Sequence, residues 1–367
     1  MSGDPDVVRV AIVADDLTGA LDVCTPLAAR GLRCYVATRP DGLEAALARG
    51  GDIVCVNTAT RETDPEAARR IVGAVARRIA EASPAIAFKK IDSRLKGHVA
   101  IEVEACLAEF GRRRAILAPA VPSQGRRVEA GYVTGRGLAE PLGMAGVLGN
   151  RLAYAAPDSA DEADLERIAR ADWRDVLLVG ASGLAAGLAA VLSPQAAMTA
   201  KPINGPLLVA VGSHDPITVE QVSRAAAQRD VLHLTSDDGA ISMPTSLPPV
   251  VIVQATIAPQ RTDRAQAMVR FGGEVASLLR QGGFATALVS GGETGQTVLG
   301  NLGVDCLEVL GEALAGIPLT EARIGEHRLA ILTKSGGFGT PDDIVRLAEI
   351  ARQNMHPADT SIRGEHA

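Results

Sequence analysis

Aromatic side chains are scarce in this chain of 367 residues: one Trp, three Tyr and five Phe, 2% of the whole. So small a supply leaves little to stack against exposed bases, which is how single-strand binders hold their ligands. Basic residues do not make up for it. The formal net charge is -6, and Arg112-Arg113-Arg114 is the nearest approach to a basic patch. That triplet reads as the solvated entry to a strand, and nucleic acid is not expected as a partner. Cysteine is sparse too: Cys24, Cys34, Cys55, Cys106 and Cys306 form an odd set without a Cys-x-x-Cys pair. Neither a zinc site nor a disulfide scaffold is indicated, and a reduced, cytoplasmic protein is the expectation. No run approaches the ~20 apolar residues of a spanning helix, and Met1 to Asp6 holds no basic segment, so neither a membrane nor export is expected. Two common glycine fingerprints are also missing, the Gly-Lys-Ser/Thr close of a Walker A loop and Gly-x-Gly-x-x-Gly.

Hydrophobic residues make up 47% and charged residues 22%, a globular balance, and the length suits two domains that each bury a core. Short β-branched runs alternate with alanine-rich amphipathic stretches, the pattern of a mostly parallel sheet flanked by helices. In the first half these runs fall at residues 7–13, 32–38, 52–57, 85–91, 114–120 and 175–179. Asp64-Pro65 reads as an N-cap followed by proline at the first helical position, and Gly31 and Gly111 fall where helices end. Three prolines and a glycine without apolar period interrupt the text up to Pro206. Alternation then resumes at residues 207–211, 231–234, 250–254, 285–289, 306–309 and 328–333. The expected organisation is an N-terminal α/β domain over residues 1–195, a linker over 196–206 and a C-terminal α/β domain over 207–367, with the ligand cleft between them. Residues from Met355 onward are polar and expected to fray.

The first run delivers Ala14-Asp15-Asp16-Leu17-Thr18-Gly19 to the carboxyl end of a strand, where open parallel sheets bind ligands. One aspartate capping the next helix is the ordinary reading. Two adjacent carboxylates ask for more, because their repulsion is tolerated mainly where a cation or several donors offset it. Ionised at neutral pH, either can accept a hydroxyl proton or hold Mg²⁺. The fourth run closes on Lys89-Lys90-Ile91-Asp92-Ser93-Arg94-Leu95-Lys96-Gly97-His98. As a site, Lys90 and Lys96 would neutralise a carboxylate while Asp92 and Ser93 bond hydroxyls, and Arg61, after the third run, would reach the same edge. In the second half, Ser290-Gly291-Gly292-Glu293-Thr294-Gly295 leads from a strand into a helix, where glycines and free first-turn amides suit a phosphate. The last strand ends at Lys334-Ser335-Gly336-Gly337-Phe338-Gly339, with a helix expected to open at Thr340-Pro341-Asp342-Asp343. Its two aspartates would repel phosphate, which places nucleotide contacts on the glycine amides before it. Gly212-Ser213-His214-Asp215 adds one hydroxyl, and His214 reads as a plain loop histidine.

Ala14-Asp15-Asp16-Leu17-Thr18-Gly19-Ala20, Lys90-Ile91-Asp92-Ser93, Pro122-Ser123-Gln124-Gly125-Arg126, Gly212-Ser213, Ser290-Gly291-Gly292-Glu293-Thr294 and Thr333-Lys334-Ser335-Gly336-Gly337-Phe338-Gly339 together resemble the four-carbon acid sugar kinase family. The set spans nearly the whole chain. The resemblance implies an N-terminal domain that holds a tetronate such as erythronate, threonate or 3-oxo-tetronate, and a C-terminal domain that holds ATP. It assigns Asp16, Arg61, Lys90, Asp92 and Ser93 to the sugar acid, and Ser213, Gly291 to Thr294 and Gly337 to the nucleotide. Where the family usually reads Asp-Ser-Thr-Leu-Arg-Gly, this chain has Asp92-Ser93-Arg94-Leu95-Lys96-Gly97. An ammonium there grips a carboxylate differently from a guanidinium. The segment after Gly131 is also shorter than the family's.

The expected activity is transfer of a phosphoryl group from ATP to a hydroxyl of a four-carbon sugar acid. Asp16 would orient or deprotonate the hydroxyl, with Asp15 as second choice, and Arg61, Lys90 and Lys96 would fix the carboxylate. The glycine amides at 291, 292, 336 and 337, together with Lys334, would stabilise the γ-phosphoryl charge. Mg²⁺ would accompany ATP and touch Glu293 or Asp15. A homodimer is one assembly the sequence allows. Two other functions remain open: a sugar-acid sensor that binds without transfer, and a dinucleotide-dependent dehydrogenase. The second is disfavoured because Asp15-Asp16 stands where its glycine fingerprint would be.

Overall fold

A computed structural model of the chain describes residues 8–149, 152–195, 201–258 and 261–355. The chain divides into two compact units. The first takes the residues up to Thr199 together with Asp305–Val309; the second takes Ala200–Val304 and the residues from Leu310 onward. Of the expected linker, residues 201–206 form no helix and begin no strand, while 196–200 lie outside the described residues, as do 356–367 of the expected frayed end.

The first unit runs β1 (Val10–Ala14), α1 (Leu17–Ala28), β2 (Cys34–Ala37), α2 (Leu43–Leu47), β3 (Ile53–Asn57), α3 (Pro65–Ala80), β4 (Ile86–Lys90), α4 (Val99–Glu109) and β5 (Arg114–Ala118). Then follow β6 (Arg126–Glu129), β7 (Tyr132–Gly135), β8 (Leu142–Gly143), α5 (Met144–Leu148), β9 (Tyr154–Ala155), α6 (Glu162–Ala169), β10 (Val176–Gly180) and α7 (Ser182–Leu192). Every residue of β1, β3, β4 and β10 is buried, as expected for parallel strands covered on both faces. Parallel pairing gives the order β2-β3-β1-β4-β10-β5-β9. The chain leaves β1 toward β2 and β3 on one side and returns to β4 on the other, so the end of β1 is a topological switch point. Sequence reading places these strands but not β9 or the small antiparallel sheet β6-β7-β8, whose short, polar strands carry no apolar run. The expected cap at Asp64 is made, its carboxylate accepting from Ala67 N at 2.9 Å.

The second unit runs β11 (Leu207–Val211), α8 (Pro216–Ala226), β12 (Val231–Ser236), β13 (Val250–Ala255), α9 (Arg264–Gln281), β14 (Thr286–Ser290) and α10 (Gly292–Leu302). It continues with β15 (Cys306–Leu314), whose stretch up to Val309 belongs to the first unit, β16 (Ile317–Ile324), β17 (His327–Lys334) and α11 (Asp343–Gln353). The order β12-β13-β11-β14-β17 is parallel, and β11, flanked by β13 and β14, ends at a second switch point. β16 pairs antiparallel with β17 and is absent from the sequence reading, since Pro318 and the charges Glu321 and Arg323 break its run. The C-terminal helix is a correction: it starts at Asp343 rather than at Thr340-Pro341. Asp343 is buried, and its carboxylate accepts from Thr340 N at 2.9 Å and Thr340 Oγ1 at 2.6 Å, closing a turn ahead of the helix. It is therefore a first-turn carboxylate turned inward onto Thr340. Among the described residues no helix is long and apolar enough to cross a membrane.

Candidate active-site residues of the two units

At the end of β1 the chain passes straight into Asp15 and Asp16. Asp15 is buried, and Asp16 is the N-cap of α1, its Oδ1 accepting from Gly19 N at 2.9 Å. The loop after β3 wraps this turn: Thr58 N donates to Ala14 O at 2.8 Å, and Thr60 N to Asp15 O at 3.0 Å. That wrapping aims Arg61 at both carboxylates. Its Nε and Nη2 reach Asp15 Oδ2 and Oδ1 at 2.8 and 2.9 Å, while Nη1 and Nη2 reach Asp16 Oδ2 and Oδ1 at 2.8 and 3.0 Å. One planar guanidinium is thus the offsetting cation that two adjacent aspartates require. Arg61, expected to grip a substrate carboxylate, directs four hydrogen bonds at the protein's own pair, which leaves one Nη1 hydrogen. Asp15, one of two metal candidates, has both oxygens bonded to Arg61.

Below this pair lies a buried network that the sequence reading missed. Lys89 Nζ donates to Glu102 Oε2 at 2.8 Å and Lys90 O at 2.7 Å, and Thr60 Oγ1 donates to Glu102 Oε1. The signal in the sequence was a lysine one residue inside an apolar strand, a charge that burial permits only with a partner. Burial by itself would raise the Asp15 carboxyl; Lys89, Arg61 and Lys90 outweigh it and hold Asp15 below the usual carboxylate range. Burial would lower Lys89, but Glu102 and Asp15 keep its ammonium above its ordinary value.

Lys90 is buried beside Gly19, so close that a Cβ at Gly19 would overlap its Nζ, and this ammonium makes no hydrogen bond among the described residues. A side chain at this position would displace the Lys90 and Asp16 side-chain ends. Asp92 completes the group, with Oδ2 at 4.0 Å from Arg61 Nη1 and Oδ1 accepting from Arg94 N at 2.8 Å. Ser93, half-buried, follows it. Lys96 is exposed and makes no ion pair or hydrogen bond among the described residues, so the structure does not bring it into the group. Asp15, Asp16, Arg61, Lys90 and Asp92 come together.

In the second unit three strand ends meet. Gly212 N donates to Ser290 O at 3.1 Å and Gly291 N to Lys334 O at 2.9 Å, which stitches the ends of β11, β14 and β17. Gly291 has φ +112, a conformation that favours glycine, and as N-cap of α10 it offers no side chain to the first-turn amides. Those donors remain for an anion, with the positive end of the helix dipole behind them. Gly336 lies against Ser213 closely enough that a Cβ would overlap its Oγ, and a Cβ at Gly337 would stand 2.9 Å from Asp215 Oδ2. Ser290 Oγ and Thr333 Oγ1, at the ends of β14 and β17, are buried without a hydrogen-bond partner. Glu293 is exposed in the first turn of α10, and Thr294 is buried behind it.

Lys334 is buried, and its Nζ is turned toward Thr218 Oγ1 at 3.0 Å and the carbonyls of Ser335, Gly336 and Phe338 at 3.0, 3.2 and 3.1 Å. Gln221 Nε2 adds donors to Phe338 O at 3.3 Å and Thr340 O at 2.7 Å. Lys334, expected to contact phosphate, has its Nζ turned into the glycine loop and holds the shape of that loop from within. Thr218 and Gln221 share that role and were missed, since polar residues on α8 give no local sign of what they hold. Burial pushes the Lys334 ammonium down to about 8, against the pull of Asp215 and Asp343.

A family model described as a sugar-binding N-terminal domain matches residues 10–145, and one described as a nucleotide-binding C-terminal domain matches residues 208–344. A D-threonate kinase of Bordetella bronchiseptica is 28% identical, with 94% of this chain and 98% of that protein covered. A 3-oxo-tetronate kinase of Brucella melitensis is 25% identical over 94% of this chain and 96% of its own. A Haemophilus influenzae protein of solved structure shares the fold with a TM-score of 0.72 at 20% identity, covering 94% of this chain and 99% of its own. The acidic switch point lies in the stretch matched as sugar-binding and the uncapped glycine turn in the stretch matched as nucleotide-binding, in the order that the relatives share from end to end: the chain belongs to the four-carbon acid sugar kinase family.

Proposed function

We propose that the protein is an ATP-dependent kinase that phosphorylates a hydroxyl of a four-carbon sugar acid of the threonate or 3-oxo-tetronate type. The observation that carries this reading is the Asp15-Asp16 pair, locked by one arginine at the switch point of a sugar-binding unit. Names of relatives over nearly the full chain support the substrate class.

Asp16, the more exposed of the two at 26% of its side chain against 4% for Asp15, takes the acceptor hydroxyl. The hydroxyl proton passes to its carboxylate as the oxygen bonds to the γ-phosphorus and the bridging bond to ADP breaks. Phosphoryl transfer has a loose transition state and asks mainly for alignment and charge neutralisation. Arg61 orients Asp16 through two hydrogen bonds, and Lys90, buried beside Gly19, supplies positive charge nearby. Phosphate oxygens fall to the amides of α10's first turn and of Gly336 and Gly337, with Ser213 and Ser290 hydroxyls at hand. Among the described residues no group of three or more His, Cys, Asp or Glu is placed to cage a cation. That suits Mg²⁺, which binds through phosphates and one or two carboxylates. Asp215, whose Oδ2 stands against the Gly337 turn, and the exposed Glu293 are the residues that would hold it. When bound, it neutralises charge on the β- and γ-phosphoryl oxygens. Five free cysteines fit a cytoplasmic enzyme.

The test is ADP release with Mg²⁺ and ATP over a panel of D-threonate, L-threonate, D-erythronate and 3-oxo-tetronates. Turnover with at least one of these is expected. Silence across the panel from folded protein overturns the kinase reading in favour of a sensor.

A further inference from the structure

One charge cluster has no part in the machinery described so far. Arg126 opens β6, Arg136 follows β7 and Arg94 lies in the loop after β4. Cross-strand pairing of Arg126 with Gly135, and donation from Arg136 N to Gly125 O at 3.1 Å, hold the first two side by side. Gly137 marks where Arg126 and Arg94 meet: a Cβ there would stand 3.9 Å from Arg126 Nη1 and 4.0 Å from Arg94 Cδ. The charged groups that act on Arg126 are Arg94, Arg136 and Asp92. Arg94 and Arg126 thus have Asp92 as a shared neighbouring carboxylate, and that carboxylate is also 4.0 Å from Arg61. Arg126 Nε is buried without a partner; its Nη2 bonds only the neutral Gln124 side chain, and Arg94 comes no nearer than 4.0 Å to Asp92 with its own guanidinium. Burial, followed by Arg94 and Arg136, lowers the Arg126 guanidinium from its ordinary value. Like charges gathered with donors unused are stable chiefly when an anion joins them.

We propose that Arg94, Arg126 and Arg136 receive the carboxylate of the sugar acid, with Asp92 standing between them and the Asp15-Asp16 pair. Asp92 lies within 4.0 Å of both Arg61 and Arg94, so one aspartate side chain separates the anion-seeking cluster from the hydroxyl-seeking pair. A short chain with a carboxylate at one end and hydroxyls along it fits this order. A neutral tetritol does not satisfy the cluster, and the planar forks suit a carboxylate better than exposed Lys96 does. The substrate class rests on the kinase reading; the anion preference rests on the cluster.

The test measures binding as well as turnover. Calorimetric titration with D-threonate and D-erythronate, and KM for whichever acid the wild-type enzyme phosphorylates, are compared for wild type, Arg126→Gln, Arg94→Gln and Arg136→Gln. Arg127→Gln, one residue along β6 and exposed, removes the same charge outside the cluster. Arg126→Gln should weaken acid binding and raise its KM by roughly ten- to a hundredfold, with KM for ATP unchanged and Arg127→Gln close to wild type. Arg126→Lys should recover part of the loss. Should Arg126→Gln fail to fold, the two more exposed arginines carry the same comparison. Wild-type affinity for the acid in the cluster variants, or an equal loss in Arg127→Gln, overturns the inference while leaving the kinase reading intact. A wild-type protein that binds and phosphorylates none of the acids overturns the kinase reading itself.

Discussion

Asp15 and Asp16 are neighbours with different work because the strand ends between them. Asp15 continues the alternation of β1 into the interior and fastens to Arg61 through both oxygens, whereas Asp16 begins α1 and stays partly open. Replacing each by asparagine separates the two roles. Asp16→Asn keeps an oxygen for Gly19 N, so thermal stability should change little while kcat falls by roughly 10²–10⁴-fold, with KM for ATP near wild type. Asp15→Asn leaves Arg61 without its buried counter-charge and should lose about 3 kcal/mol in denaturant unfolding. Its pH dependence has a fixed sign. A depressed folded-state pKa gives stability that is present above the unfolded value, about 4, and is lost as pH falls through the folded one. An Asp16→Asn enzyme with undiminished turnover would remove Asp16 from the mechanism. The adjacency of two carboxylates made an offsetting cation legible in the sequence, and Arg61 was within view. That the cation would direct four hydrogen bonds at the pair was not legible, because hydrogen-bond geometry depends on how the β3 loop folds back.

At the scale of elements, the strands of both units were readable since fully buried parallel strands are continuous apolar runs. What escaped were segments whose stability comes from partners: β16, with Pro318 and two charges, is held by antiparallel pairing, and β6-β7-β8 are short and polar. The glycine-rich turns at the strand ends were readable, whereas the inward course of the Lys334 side chain was not. Lys334 sits inside its loop, bonded to three carbonyls and Thr218, with its ammonium pushed down to about 8. Two opposite pH trends follow. Between about 8 and the unfolded value near 10.4 the unfolded chain binds the additional proton, so this group's contribution to stability grows as pH rises. Nucleotide binding runs the other way, because a phosphate nearby favours the charged form and the neutral amine releases loop carbonyls. ATP affinity should therefore fall several-fold as pH rises from 7 to 9, and the fall should be absent in Lys334→Met, measured by calorimetry at each pH. An equal pH slope in both proteins would detach Lys334 from the nucleotide loop.

For the whole molecule, the least legible feature was which unit a strand serves. Residues 306–309 read as an ordinary strand of the second half, and so they are by sequence order. In the structure Asp305–Val309 belongs to the first unit, where Cys306, Leu307, Glu308 and Val309 pair antiparallel with Ala37, Val36, Tyr35 and Cys34. Thr38 N donates to Asp305 O at 3.0 Å, and Arg39 pairs with the Asp305 carboxylate. Without this segment β2 would be an open edge strand, with unpaired backbone groups beside buried side chains. Sequence pattern reports how a strand is buried and says nothing of which sheet takes it. Leu307, fully buried, is the residue to test. Leu307→Ala should cost about 2–4 kcal/mol of the first unit's stability, although Leu307 follows Ile203, the first residue of the second unit's core, in the sequence. Trp173, the sole tryptophan of the chain and a member of the first unit, makes the readout specific. Its indole donates to Ala169 O at 2.9 Å, so its emission follows the first unit's unfolding. A Leu307→Ala protein whose Trp173 transition in urea coincides with wild type would show that the first unit's sheet stands without the segment lent from beyond residue 304.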